Sequence, residues 1–360
     1  MKSCCMQSKT VKAVDWINDQ LVLLDQRVLP KSESYITCHD ITAVIDSIKT
    51  MVVRGAPAIG IVAAYGVVIS ARAHHENNMK PLQLDVYKNA VLADLNLLAE
   101  ARPTAVNLMW AVDKMKQCFI KTYQSESTIE ALLTLAKTIH ADDIENNNRM
   151  GALAANLMAS TSDKPFSVLT HCNAGSLATG GYGTALGAIR AAWKQNLIDC
   201  VYADETRPWL QGARLTAWEL SQEGIPVCLN ADGAAAWLLA NKNIKWIIVG
   251  ADRVTANGDV ANKIGTYSLA VLAKYHGVKM MVVAPSSTVD MALKTGNEIE
   301  IEMRTTEELT QVAGIQMAPI GIEAINPVFD VTPATLIDAI VTEKGVIENP
   351  STQKMMALFG

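Results

Sequence analysis

From Phe166 onward the chain alternates short apolar runs with longer runs of helical spacing, and this rhythm limits its fold more than any other feature. The short runs are FSVLT, CVYAD, PVCLN, KWIIVG and KMMVVA, and between them lie AIRAAWKQ, LTAWELSQ, GAAAWLLAN and YSLAVLAKYH. A nearly unbroken apolar run has no polar side to offer water, so each short run is expected to be a strand buried on both faces. Strands of that kind joined by helices predict βαβ units and a parallel sheet covered on both sides. Residues 41–158 read differently. Apolar residues three and four apart in VYKNAVLADLNLLAE and STIEALLTLAKTIHADDI predict helices, preceded by a strand, LVLLDQRVLP, that ends at Pro30. The expected fold is therefore α/β, with a small, mainly helical N-terminal domain over residues 1–140 and a parallel-sheet C-terminal domain over residues 141–360.

Composition narrows the function. The 360 residues have room for two cores, and half of them are hydrophobic. Charged residues make up 19% and the net charge is −5, which leaves no basic footprint for nucleic acid. Recognition of a phosphate must then be local. The longest nearly apolar stretch, IGIVAAYGVVISA (residues 59–71), is shorter than the about 20 residues that cross a bilayer, and it reads as a buried helix without a membrane role. The first residues, MKSCCMQSKTVKAVDW, lack the apolar centre of a signal peptide, so a cytoplasmic protein is expected and its seven cysteines are thiols. They form no CxxC pair, and no histidine stands at zinc-finger spacing from them, so no metal is expected. Cys4 and Cys5 fit either an acylated tail or a mobile terminus.

In parallel α/β sheets, ligands sit beyond the carboxyl ends of the strands. Three of these ends carry polar clusters: HCNAGS after FSVLT, DETRPWLQGAR after CVYA, and GADRVTANGDVANK after KWIIV. The first opens HCNAGSLATGGYGTALG (171–187), whose glycines would let backbone N–H groups approach an anion near a helix N-terminus. It lacks the GK[ST] of a P-loop and the GxGxxG of a dinucleotide fold, which argues against a nucleotide. Cys172 is then either a small buried hydrophobe or a thiol held at the mouth of the sheet in a functional protonation state. Asp252 follows the most hydrophobic strand, where desolvation would keep a proton available. It is equally a residue type common in turns, and Asp204, Asp232 and Asp259 compete for any acid role. Asn262 and Lys263 open the next helical run, with Lys263 placed to meet a phosphate or merely solvated. Arg54, in RGAPAIG, marks a turn entering the apolar helix and has the same two readings.

The segments LLDQRVLP, VVRGAPAIG, ARPTAVNLMWA, THCNAGSLATGGYGTALG, ADETRPWLQGARLTAWEL, IIVGADRVTANGDVANKIGTYSLAVLAKYHGVKMMVVAPSSTVD and PIGIEAINPVFDVTPATLI, in this order between residues 23 and 337, resemble the methylthioribose-1-phosphate isomerases of the initiation-factor-2B-like superfamily. The resemblance implies a helical N-terminal domain, a Rossmann-like C-terminal domain and a homodimer. It implies conversion of 5-methylthioribose 1-phosphate to 5-methylthioribulose 1-phosphate in methionine salvage, with no metal and no nicotinamide. Carried over by motif, Cys172 and Asp252 are the expected catalytic pair, and Arg54, Gly55, Ala56, Arg102, Gln211, Asn262 and Lys263 the expected substrate contacts. The same superfamily contains regulatory subunits of a translation-initiation exchange complex. The complete set of Cys172, Asp252, Asn262 and Lys263 favours the enzyme over such a binding module. Isomerases of 5-deoxyribose 1-phosphate or ribose 1,5-bisphosphate are nearer rivals, because a hydrophobic pocket discriminates weakly against a missing small apolar group.

Overall fold

The computed structural model describes residues 11–78, 83–102, 106–162 and 164–360, so Cys4 and Cys5 lie outside the described residues. The chain forms two compact units, one of residues 11–145 and 176–183, the other of residues 146–175 and 184–360. In the first unit an antiparallel sheet of β1 (Val14–Ile17), β2 (Gln20–Leu24) and β3 (Tyr35–Cys38) is followed by α1 (Ile41–Lys49), α2 (Ala56–Asn78), α3 (Leu84–Ala99), α4 (Val106–Thr122) and the opening half of α5 (Thr128–Ala159). The strand expected to reach Pro30 stops at Leu24. Asp25 accepts both the amide and the guanidinium of Arg27, at 3.0 and 2.8 Å, and this local bonding turns the chain.

Helix α1 starts where sequence chemistry puts it: the Asp40 carboxylate accepts the Ala43 amide at 2.8 Å, and Val44, Ile45 and Ile48 are buried. Helix α2 is apolar around its whole circumference. By length and composition Ala56–His75 would cross a bilayer, but 78% of its apolar window is buried within the protein, as befits a core helix. It packs against α1, α3 and α4. A Cβ at Gly60 would lie 2.8 Å from the Asn107 carbonyl oxygen, so this glycine permits the close approach of α4.

The second unit runs through β4 (Phe166–Thr170), α6 (Ala185–Lys194), β5 (Ile198–Asp204), α7 (Ala217–Gln222), β6 (Val227–Asn230), α8 (Ala235–Asn241) and β7 (Ile244–Val249). It continues through β8 (Arg253–Thr255), β9 (Val260–Lys263), α9 (Thr266–His276), β10 (Lys279–Val283), β11 (Val289–Asp290), α10 (Glu307–Thr310), β12 (Gln311–Val312) and β13 (Ile315–Gln316). β14 (Phe329–Thr332), β15 (Ala339–Thr342), β16 (Gly345–Glu348) and α11 (Thr352–Phe359) complete it. Seven strands make one sheet in the order β16-β15-β10-β7-β4-β5-β6, parallel throughout except for the terminal β16. All five apolar runs read as strands contribute to it.

Alternation along these strands divides their side chains between two cores. Val168, Trp246, Ile248, Met281 and Val283 join Met150, Met158, Leu186 and Ile189 on one face. Leu169, Ile247, Val249, Met280 and Val282 join Leu238, Leu269 and Met355 on the other. Burial on both faces is why β4, β7 and β10 read as continuous apolar runs, whereas β6, expected to be covered on both sides, is the edge strand and has no buried residue. A second small sheet, ordered β11-β8-β9-β14, holds the segment after β7. It corrects one expectation: Asn262 and Lys263 are the last residues of β9, and the helix begins at Thr266.

Candidate active site

From β4 the chain passes to β5 and β6 on one side, then crosses to β7 and β10 on the other. The strand order therefore reverses between β4 and β7, and ligands of open α/β sheets bind in the crevice beyond the carboxyl ends at such a point. Cys172 comes just after β4 and Asp252 just after β7. Their loops touch, since a Cβ added at Gly250 would lie 2.8 Å from the Ala174 side chain.

Cys172 is buried and has a left-handed backbone, φ 63°. A non-glycine residue adopts that conformation at a cost and holds it only when its surroundings dictate it. Here they do. Its amide donates to Thr206 Oγ1 at 2.8 Å, and its carbonyl accepts from Thr216 Oγ1 at 2.6 Å. The turn carrying Thr206 is fixed in turn by Asp232, whose two carboxylate oxygens accept the amides of Thr206 and Arg207 at 2.7 Å each. Thr216 closes one π-helical turn, Gly212–Thr216, a local distortion often found at functional sites. Gln211, immediately before it, has a buried side-chain oxygen without a hydrogen-bond partner among the described residues, an acceptor suited to a ligand hydroxyl.

His171 braces three of the loops. Its Nδ1 meets Asp204 Oδ2 at 2.9 Å, and its Nε2 meets the Ile264 carbonyl at 2.8 Å, which requires Nε2 to carry hydrogen. Burial opposes charge on the ring. The hydrogen bond and charge of Asp204, helped by the Ile264 carbonyl, outweigh it and hold the imidazole above its ordinary range. His171, Asp204 and Asp232 also offer donor atoms within 4.8 Å of one another. All of these atoms already serve the protein: Asp204 accepts His171 and the Asn230 amide, and Asp232 accepts two backbone amides. An ion there would have to displace them.

The β8–β9 hairpin assembles the other side. Asp252 is half-buried and its amide donates to the Ala261 carbonyl at 2.9 Å; continuing the Arg253–Ala261 register sets it opposite Asn262. Asn262 is buried and donates to Thr266 Oγ1 at 3.0 Å, while Lys263 Nζ donates to the Val328 carbonyl at 3.0 Å beside the Phe329 ring. The competing acids have other duties. Asp204 and Asp232 hold His171 and the Thr206 turn, and Asp259 accepts the Ala334 and Gly296 amides at 2.9 Å each. Sequence reasoning weighed these three as acids and passed over His171, Thr206 and Thr216. Their signal was position alone: His171 beside Cys172, Thr206 within the polar cluster DETRPWLQGAR and Thr216 two residues after it.

The structure thus places Cys172, Gln211 and Asp252 after the carboxyl ends of β4, β5 and β7, and Asn262 and Lys263 at the end of β9, all in one unit. Arg54, Gly55, Ala56 and Arg102 belong to the other unit, where Arg54 and Arg102 are half-buried and Ala56 begins α2. Gly55 has φ 93°, and a Cβ there would lie 2.5 Å from the Ala178 oxygen, so no other residue fits without movement. Ser176–Gly183, the middle of the glycine-rich segment, packs in this same unit. Its glycine amides are occupied: Gly180 donates to Asp143 Oδ2, Gly181 to Thr179 Oγ1 and Gly183 to the Gly181 carbonyl. These glycines serve packing and turning, which corrects the reading of the segment as an anion cradle at those positions.

A doubly covered parallel sheet with a thiol and an acid at its switch point defines the class, and the model of the initiation factor 2 subunit family matches residues 52–349. A methylthioribose-1-phosphate isomerase of Azotobacter vinelandii is 54% identical over 100% of this chain and 98% of its own. One of Marinobacter nauticus is 54% identical over 96% of both. The crystal structure of 5-methylthioribose 1-phosphate isomerase from Pyrococcus horikoshii superposes with a TM-score of 0.89 at 39% identity, covering 98% of this chain and 96% of that one. A structure from A. fulgidus described as translation initiation factor eIF-2B, subunit delta, reaches 0.85 at 37% identity, covering 97% of this chain and 100% of that one. The chain belongs to the initiation factor 2 subunit family and, within it, to the methylthioribose-1-phosphate isomerases.

Proposed function

We propose that the protein isomerises 5-methylthio-D-ribose 1-phosphate to 5-methylthio-D-ribulose 1-phosphate, an aldose-to-ketose step of methionine salvage. It acts in the cytoplasm as a homodimer on a small sugar phosphate, with no cofactor, metal, nucleic acid or membrane partner. The observation that carries the reading is the meeting of the Cys172 and Asp252 loops at the switch point of the sheet, in a chain whose full-length relatives bear that enzyme's name.

The chemistry accounts for the residues. A free aldose opens its ring by losing the C1 hydroxyl proton, but here that oxygen is esterified to phosphate. Asp252 supplies a proton to the ring oxygen instead, the C1–O bond to that oxygen breaks, and C1 becomes electron-poor. Hydrogen then leaves C2 by one of two routes. As a proton it passes to a base, a role open to Cys172, and leaves an enol phosphate that is reprotonated at C1 as its C2 hydroxyl proton passes to the Asp252 carboxylate. As hydride it moves directly to C1, the C2 hydroxyl proton passes to the carboxylate that ring opening left on Asp252, and Cys172 stabilises the transition state. Arg54, Arg102 and Lys263 hold the phosphate, Gln211 and Asn262 take sugar hydroxyls, and Gly55 and Ala56 complete the contacts.

The test is incubation of the purified protein with 5-methylthioribose 1-phosphate alone in D2O, followed by NMR. Appearance of the ketose establishes the reaction, and deuterium at C1 selects the proton route over the hydride route. Absence of ketose from folded protein refutes the assignment.

A further inference from the structure

We propose that the hydroxyls of Thr206 and Thr216 form a clamp that holds the Cys172 backbone in its left-handed conformation and thereby aims the thiol; both are positioning residues. The inference rests on the isomerase reading for its kinetic arm only. Cys172 lies past the end of β4, so the ladder no longer supplies partners for its backbone, and the two hydroxyls take over that duty at 2.8 and 2.6 Å. Both threonines are fully buried.

Each threonine is itself held. Thr206 has a left-handed backbone, φ 66°, its amide goes to Asp232 and its hydroxyl donates to the Asp204 carbonyl at 3.0 Å, which leaves an oxygen lone pair for the Cys172 amide. Thr216 donates to the Cys172 carbonyl and receives Asn173 Nδ2 at 3.2 Å. Asn173 in turn donates to Glu219, which the buried Arg190 holds at 2.7 Å. The clamp is thus built from two strand-end turns and anchored to an ion pair inside the unit. A left-handed non-glycine residue with both of its backbone groups bound by side chains is over-determined, the condition under which strain persists at functional sites.

The test replaces each threonine by Val, of nearly the same shape without the hydroxyl, and by Ser, which keeps the hydroxyl. Each Val variant is expected to lose at least about tenfold in kcat with KM changed less than about twofold, and each Ser variant to stay within about threefold of the parent. Alkylation of Cys172 by iodoacetamide, followed by peptide mass spectrometry, reads the clamp without substrate. It should accelerate at least about fivefold in the Val variants because the loosened turn opens locally, while Cys38, buried in the other unit, keeps its rate. Val variants with parental kcat and parental Cys172 reactivity overturn the proposal, as does faster alkylation of Cys172 and Cys38 alike. Thr206→Ala or Thr216→Ala replaces a Val variant that does not fold. If neither hydroxyl-free version folds while the Ser version does, the hydroxyls serve the fold and not the thiol, and the proposal is wrong. A parent that makes no ketose but shows the selective change in alkylation refutes the isomerase reading and leaves the clamp standing.

Discussion

His171 Nδ1 lies 2.9 Å from Asp204 Oδ2, with both side chains closed off from solvent. The charged groups facing the ring are Asp204, Asp232 and Asp330. Because the folded imidazole binds its proton more tightly than the unfolded one, the folded state carries more protons in the window above about pH 6.5. The stability the pair contributes is complete below that pH and is lost as pH rises through the raised value. Urea midpoints measured from about pH 6 to about pH 9 should therefore fall, and the fall should be shallower in His171→Gln, which keeps a donor for the Ile264 carbonyl but cannot be charged. A parental slope in the variant removes His171 from this role.

Asp252→Asn keeps the shape of the side chain but cannot release a proton to a ring oxygen. General acid catalysis contributes about 10²–10⁴-fold, so kcat should drop by at least the lower end of that range while the melting temperature stays put. If Asp252 only supports the turn, Asn supports it equally well, and a folded, fully active variant would show that.

Cys172→Ser retains the size of the side chain and loses the acidity and polarizability of sulfur. Turnover should fall far more than substrate affinity. For Arg54→Ala the pattern inverts: KM should rise strongly, since a lost phosphate contact weakens binding first. Steady-state kinetics on the two variants separates the roles, and a near-normal kcat for the serine enzyme returns Cys172 to a packing role.

Gly212 supports the Thr216 turn by having no side chain. A Cβ there would lie 1.6 Å from the Asp204 carbonyl oxygen, whereas at Gly233 nothing lies within 4 Å. Gly212→Ala should cost about 3 kcal/mol or more, the upper end of overpacking, because backbone must move. Gly233→Ala should be neutral or slightly stabilising. Equal urea midpoints for the two variants would contradict the packing.

Arg190 is buried between Glu219 at 2.7 Å and Glu223 at 2.6 Å. Arg190→Met leaves the wholly buried Glu219 carboxylate without its cation, and loss of one partner from such a pair costs about 3–5 kcal/mol. Denaturant titration should show this loss, and Glu219→Gln added to the variant should return part of it. A single-variant cost below about 1 kcal/mol would place the pair among surface-type interactions.

Local chemistry settles much of this protein before any fold exists. Period and run length in the chain suffice to place β4, β5, β6, β7 and β10; for β4, β7 and β10 the reason is burial on both faces, whereas the edge strand β6 is apolar in sequence yet half-buried or exposed at every position. The same logic identifies α2 as a core helix, and a thiol and an acid just past two strands identify Cys172 and Asp252 as candidates. The order of the strands is not a local property, and only the folded sheet sets β4 beside β7 and so makes the ends of these two strands the switch point. β8 and β9 are three and four residues long, too short for periodicity to register, so Asn262 and Lys263 looked like the start of a helix. Glycines in 180–183 looked like an anion cradle because a sequence cannot say which amides are already bonded. Buried hydrogen bonds decide the rest. Thr206 and Thr216 stand 34 and 44 positions beyond Cys172, and a threonine hydroxyl becomes a clamp only when tertiary packing removes water and leaves one partner within reach.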